Sequence, residues 1–247
     1  MIPTYQSACG KVKLWRVGFQ KILIPQHAIV VTDPPYNIGK PKLIQKFKSK
    51  KTGTVQETVG NDFGEDFDEE AAFPHQWVPF MPDTVACFYG AKRMHKLIRA
   101  FQRNGYEIVQ DFHWCKNNAP PPLRGVGFAW GTESGYVFRR KGTRHVVNRK
   151  AGYSPNFFVS SLCQGNERIG HSTQKPVNLM RWLVRFFSAP DSLIVDPFMG
   201  SGSVGVACAE LGRNFWGMEQ KEDYYNMAER RVKTAIQNRQ DSLKMEY

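Results

Sequence analysis

No apolar run in this chain approaches the roughly 18 to 20 residues needed to span a bilayer. The opening stretch, MIPTYQSACGKVKLW, lacks the apolar core of a secretory signal. Cysteine is scarce and scattered: five residues, at positions 9, 87, 115, 163 and 208, with no two spaced as CxxC. That pattern argues against a disulfide framework and a zinc site, and it leads to the expectation of a reduced cytoplasmic setting and no metal. Acidic side chains are also in short supply. Against 34 Lys and Arg stand 22 Asp and Glu, a net charge of +12, and a balance of this size favours a polyanionic partner. The basic residues are concentrated in two blocks. KPKLIQKFKSKK carries Lys40, Lys42, Lys46, Lys48, Lys50 and Lys51 with no acid, and RRKGTRHVVNRK carries Arg139, Arg140, Lys141, Arg144, Arg149 and Lys150.

What is present alternates. Residues 28–32, Ala-Ile-Val-Val-Thr, are short, β-branched and bounded by Asp-Pro-Pro, which predicts a buried strand. Further strands are predicted at 83–90, 106–116, 134–142, 192–196 and in NFWGME. Helices are predicted near 91–104, 177–188 and 203–211 and from about Lys221, with Gly105, Pro190 and Gly212 as stops. Residues 37–66 are rich in Lys, Gly, Thr and Asp and read as a basic mobile loop. The alternation predicts one α/β domain over 1–247, Rossmann-like, with a mostly parallel sheet, helices on both faces and ligands at the carboxyl ends of the strands.

Two strand ends carry unusual chemistry. LIVDPFMGSGSVGVACAELGRNFWGME ends a strand at Asp196, turns on Gly200 and Gly202, enters a helix, and ends the next strand at Glu219. This is the layout of a nucleoside site: glycines allow close backbone approach, and the acid accepts hydrogen bonds from ribose hydroxyls. The other end is TDPPYN, which sets the carboxylate of Asp33, the prolines Pro34 and Pro35 and the ring of Tyr36 at the close of a strand.

Taken with HSTQKPVNLMRWLV and DPFMGSG downstream, TDPPYN resembles the S-adenosylmethionine-dependent amino DNA methyltransferases of the beta class, in which the catalytic motif precedes the cofactor motif. FYGAKRMHKLIRAFQRNGYEIVQDFHWCKNN resembles that family's strand–helix–strand ending in Trp-x-Lys. ESGYVFRRKG resembles the Glu-containing strand that follows. The resemblance implies a class I methyltransferase fold, S-adenosylmethionine as cofactor and double-stranded DNA as partner. It further implies that Thr173, Gln174, Lys175 and Pro176 line the methionine end of the cofactor, with Lys175 opposite its carboxylate. Asp196, Phe198, Gly200, Ser201, Gly202 and Glu219 complete the cofactor site. An Asp at the first motif position is associated with adenine N6 and a Ser with cytosine N4, so Asp33 favours adenine.

The chemistry fits those residue types. An exocyclic amine is a poor nucleophile because its lone pair is delocalised into the ring. Acceptors for its two hydrogens, the Asp33 carboxylate and the Pro34 carbonyl, would hold it pyramidal, and Tyr36 would stack on a base extruded from the duplex. The lysines of 40–51 and Arg139, Arg140, Arg144, Arg149 and Lys150 are the expected phosphate contacts. Residues 141–170 are the expected target-recognition region. They are short for that task, which leaves recognition of a short site or sharing it across a homodimer. The residues also leave open methylation of cytosine N4 or RNA, and a DNA-binding relic without catalysis.

Overall fold

Branched apolar runs form the strands of this protein, and Gly, Pro or Asp residues close them. The computed structural model describes residues 1–35, 44–48, 55–59, 73–121, 127–144, 147–170 and 173–245. In chain order the strands are β1 (Tyr5–Gln6), β2 (Val12–Trp15), β3 (Ile29–Thr32), β4 (Ile44–Lys48), β5 (Val55–Val59), β6 (Thr84–Tyr89), β7 (Tyr106–Lys116), β8 (Thr132–Arg140), β9 (Phe157–Ser160), β10 (Leu193–Asp196) and β11 (Asn214–Met218). The helices are α1 (Pro74–Trp77), α2 (Met94–Arg103), α3 (Val177–Phe187), α4 (Ser203–Leu211) and α5 (Glu222–Met245). No helix among the described residues is long and apolar enough to cross a membrane.

Nine strands form one sheet in the order β1-β2-β11-β10-β3-β6-β8-β7-β9. Within it, β2, β11, β10, β3 and β6 run parallel, and β8 runs antiparallel to both β6 and β7. β7 therefore regains the common direction, and β9 follows it in parallel. The reversal of β8 brings its first residues to the edge where the other long strands end. The two chemically unusual strand ends meet at the centre of this edge, because β3 pairs directly with β10, Ile29 opposite Ile194 and Val30 opposite Val195.

Side chains alternate across the sheet as the two-residue strand period requires. Ile29, Val31 and Ile194 join a core with Leu179, Leu183, Val204, Phe215 and Val232 from β11 and helices α3, α4 and α5. Ala28, Val30 and Val195 join the opposite core with Trp77, Leu97, Phe101 and Phe138. Phe101 of α2 stacks on Phe138 of β8 with ring centroids 3.8 Å apart. Helices thus cover both faces, as expected.

Three parts of the sequence reading change. Residues 37–66, expected to be a loop throughout, include the antiparallel pair β4–β5. Residues 141–170 contain an unexpected strand, β9, which pairs with β7 at the end of the main sheet. The N-terminal strand β2, which borders β11, and β1, which pairs with β2 at the sheet edge, were not anticipated.

Candidate active site

Asp33 follows the last residue of β3 and keeps 17% side-chain exposure. Its Oδ2 is ion-paired with Lys175 Nζ. Its Oδ1 is buried and has no hydrogen-bond partner among the described residues. Lys175 also reaches Glu133 Oε2 at 2.9 Å, and Lys116 Nζ lies 2.7 Å from Glu133 Oε1. Four charges from four elements therefore form one chain: Lys116 at the end of β7, Glu133 at the start of β8, Lys175 just before α3, and Asp33 after β3. The Lys175 carbonyl is tied to the glycine loop by the Ser203 hydroxyl, which donates to it at 2.7 Å.

Burial raises the Asp33 carboxyl above its ordinary range, the Lys175 cation pulls it back, and the negative charge of Glu133 adds to the rise. Burial acts on Glu133 in the same sense, but Lys175 and Lys116 together outweigh it and hold Glu133 at about 2. The two carboxylates share one lysine and move in opposite directions because Glu133 has a second cation in contact.

The neighbouring strand ends supply the second half of the site. Asp196 closes β10 almost fully buried, and its Oδ1 accepts from Thr32 Oγ1 at 2.7 Å and from Phe198 N–H at 3.1 Å. Burial dominates and pushes its carboxyl to about 7, against those two hydrogen bonds. Glu219 follows β11, with Oε2 accepting from Gly200 N–H at 3.0 Å and Oε1 from Lys221 N–H at 2.9 Å. Each carboxylate oxygen retains capacity for another donor, so this acid fits a ribose diol. The Phe198 ring leans on Phe19 and Trp77, with centroids 5.2 and 5.7 Å away, and remains only half-buried.

Gly200 and Gly202 both have positive φ, as a tight turn before α4 requires. At Gly202 the close approach is to the protein itself: a Cβ there would lie 2.9 Å from the Ala228 Cα in α5. Ser201 offers its carbonyl to Arg231 at 2.6 Å. Gln174 is buried with its amide engaged at both ends, donating to Glu167 O at 2.6 Å and accepting from Ile169 N–H at 3.2 Å. It thereby pins 165–170. Pro176 caps α3, and Thr173 is exposed.

The structure thus brings Asp33, Pro34, Pro35, Lys175, Asp196, Phe198, Gly200, Ser201, Gly202 and Glu219 to one sheet edge. It does not bring the second basic block there. Arg139 and Arg140 end β8, roughly 20 Å or more from Glu133 at ~3.3 Å per residue. Arg139 pairs with its cross-strand neighbour Glu107. Arg140 pairs with Asp83 at 3.1 Å and lies over the Tyr106 ring. Arg144, Arg149 and Lys150 follow on that far side, where Asn148 binds the carbonyls of Arg185 and Phe186 at the end of α3. Tyr36, Lys40, Lys42, Lys50 and Lys51 lie outside the described residues, and Lys46 and Lys48 fall on β4. Glu133 and Lys116, present in the quoted motifs but given no role, are the site residues that sequence reasoning missed.

The DNA methylase family (N6_N4_Mtase) matches residues 28–230, from β3 into α5. The chain belongs to that family. It is a DNA methyltransferase by descent, and its relatives fit the description. The Type II methyltransferase M.HinfI of Haemophilus influenzae is 28% identical over 88% of this chain and 67% of its own length. The Type II methyltransferase M2.LlaDCHI of Lactococcus lactis subsp. cremoris is 25% identical over 86% of this chain and 84% of its own. Among solved structures, M1.HpyAVI in complex with SAM superposes with a TM-score of 0.68 at 22% identity, covering 90% of this chain and 98% of that one. The cytosine-N4-specific PvuII DNA methyltransferase superposes at 0.67 with 17% identity, covering 93% and 88%. These likenesses establish the class I methyltransferase fold of the chain, and that fold is shared with an N4 enzyme.

Proposed function

We propose that this methyltransferase transfers a methyl group from S-adenosylmethionine to the exocyclic N6 of an adenine turned out of double-stranded DNA. The observation that carries the reading is the divided state of Asp33: Oδ2 is held by Lys175, while Oδ1 is buried and unpartnered among the described residues. A buried acceptor left empty is costly, and an exocyclic amine is a donor of the right kind to fill it. The carboxylates of Asp196 and Glu219 beside the Gly200–Gly202 turn suit the ammonium and ribose hydroxyls of the cofactor, which supports S-adenosylmethionine at that end of the site.

Bound S-adenosylmethionine would supply an electrophilic methyl on a sulfonium: the amine lone pair forms the N–C bond, and the thioether sulfur leaves with the C–S electrons. Asp33 Oδ1 accepts one N–H and the Pro34 carbonyl a second, aiming the lone pair. The charge-assisted bond to Asp33 contributes about 1.5–3 kcal/mol, and the neutral one to the carbonyl about 0.5–1.5 kcal/mol. Most of the remaining acceleration comes from in-line positioning at ~3–3.5 Å. Once the nitrogen is methylated and cationic, it loses a proton to Asp33 Oδ1 or to water, and the raised Asp33 carboxyl suits that acceptance. Tyr36 offers a ring face to the extruded base, and the lysines of 40–51 a grip on the phosphates. The choice of adenine rests on Asp at the first motif position.

The test incubates the protein with unmethylated DNA and isotopically labelled S-adenosylmethionine, then digests the DNA and identifies labelled nucleosides by mass. N6-methyladenine is expected. N4-methylcytosine as the sole product would overturn the base assignment, and no labelled nucleoside would overturn the reading as a whole.

A further inference from the structure

The Lys116–Glu133–Lys175–Asp33 chain is a poor device for stability. Its members are largely withdrawn from water, with side-chain exposures of 10%, 25%, 5% and 17%. Buried ion pairs of this kind recover little more than the desolvation they incur. The chain nevertheless spans four separate elements and terminates on the one carboxylate that the proposed reaction uses. Its geometry is also asymmetric. Lys175 is shared between Asp33 and Glu133, and Glu133 is shared between Lys175 and Lys116. The Lys175 side chain passes beside the Phe88 ring, with Nζ 5.4 Å from its centroid. Its carbonyl is fixed by Ser203.

We propose that Glu133 and Lys116 are positioning residues that act on Asp33 through Lys175, dividing the lysine's charge so that Asp33 is held by one oxygen and offers the other. This rests on the methyltransferase reading but adds to it two residues that the proposed transfer gives no direct role. When Asp33 Oδ1 takes the proton from the methylated nitrogen, Asp33 becomes neutral, and Lys175 keeps Glu133 as its counter-ion. The buried lysine is then never stranded during the proton transfer. Glu133 stays ionised throughout, because it has cations on two sides.

The two residues bias Asp33 in opposite senses, which distinguishes this role from passive bracing. The charge of Glu133 raises the Asp33 carboxyl, and the charge of Lys116 lowers it. Removing Glu133 lets Lys175 shift its charge toward Asp33, and removing Lys116 lets Glu133 draw Lys175 away. Asp196 on β10 and Cys87 on β6 also face Asp33, and neither contacts the chain through an ion pair among the described residues.

The experiment follows the Asp33 carboxyl carbon by NMR in 13C-aspartate-labelled full-length protein across pH, assigning the signal by its loss in Asp33→Asn. Glu133→Gln is expected to move its titration to lower pH and Lys116→Met to higher pH, each by about 1 pH unit, the low end for a nearby charge. Lys116→Arg is expected to restore the wild-type value, and S-adenosylmethionine titration of each variant checks that the cofactor end is intact. Where methyl transfer is measurable, the acid limb of kcat follows the same two directions while KM for S-adenosylmethionine holds. Shifts of one sign, or no shift in either variant, would overturn the proposal. Because the NMR readout needs no turnover, opposite shifts in a protein that methylates no DNA would sustain the positioning role and sink the methyltransferase reading alone.

Discussion

Replacing Asp196 by Asn should stabilise the folded protein above neutral pH while damaging the cofactor end of the site. Asp196 is 3% exposed, and burial raises its carboxyl from 3.8 to about 7. A group raised on folding destabilises the fold once ionised. Its contribution is intact below the unfolded value and is lost as pH rises through the folded one. At about 1.4 kcal/mol per pH unit, that loss amounts to about 4 kcal/mol at pH 8 and about 2 kcal/mol at pH 5. Asn keeps an oxygen in place of Oδ1 to accept from Thr32 and Phe198, so the packing changes little and the charge disappears. Urea unfolding of wild type and Asp196→Asn at both pH values measures the difference. The expected gain is at most about 4 kcal/mol at pH 8 and roughly half that at pH 5. A loss of stability at pH 8, or a gain independent of pH, would refute the argument that Asp196 is held ionised at a cost.

Asp33→Ala should abolish methyl transfer and leave S-adenosylmethionine affinity within a few-fold by calorimetry; near-normal turnover would remove the orienting role. Tyr36→Ala should reduce turnover more than Tyr36→Phe, since a ring face is invoked, and equal losses in steady-state assays would contradict stacking. Gly202→Ala places a methyl 2.9 Å from the Ala228 Cα at positive φ and should cost about 2–4 kcal/mol in urea unfolding. Lys40→Gln with Lys42→Gln should flatten the slope of log DNA affinity against log salt by about 0.9 for each phosphate no longer gripped. Arg139→Gln should leave that slope unchanged, because Arg139 is paired with Glu107 on the far side of the sheet.

Much of this architecture was legible where local signals are strong. β7 spans the predicted 106–116, α4 the predicted 203–211, and α3 stops one residue short of its expected end. Asp33, Asp196 and Glu219 were each legible as acids at strand ends. What stayed hidden was direction and pairing. Nothing local in ESGYVFRRKG says that its strand runs backwards, yet that reversal sends Glu133 to Asp33 and Arg139 away from it. The clustered arginines looked like a phosphate grip because a basic run reveals charge and not partners; the register of β7 on β8 sets Glu107 opposite Arg139. Short β9, with alternate residues exposed, and four-residue α1 carry too little periodicity to register. Gly202 was expected to admit a ligand, and its contact is instead with α5, a residue 26 positions on that no turn signal foretells.

The hydrogen bond from Thr32 to Asp196 joins residues 164 apart in the chain. During synthesis at ~5–20 residues per second, roughly 10 to 30 seconds separate the emergence of these two side chains from the ribosome. Through that interval the β3 edge that will receive β10 is bare, and Asp33 has no neighbour on that side. A message truncated before β10 therefore yields no partly active enzyme, only a fragment with an open strand edge for quality control to remove.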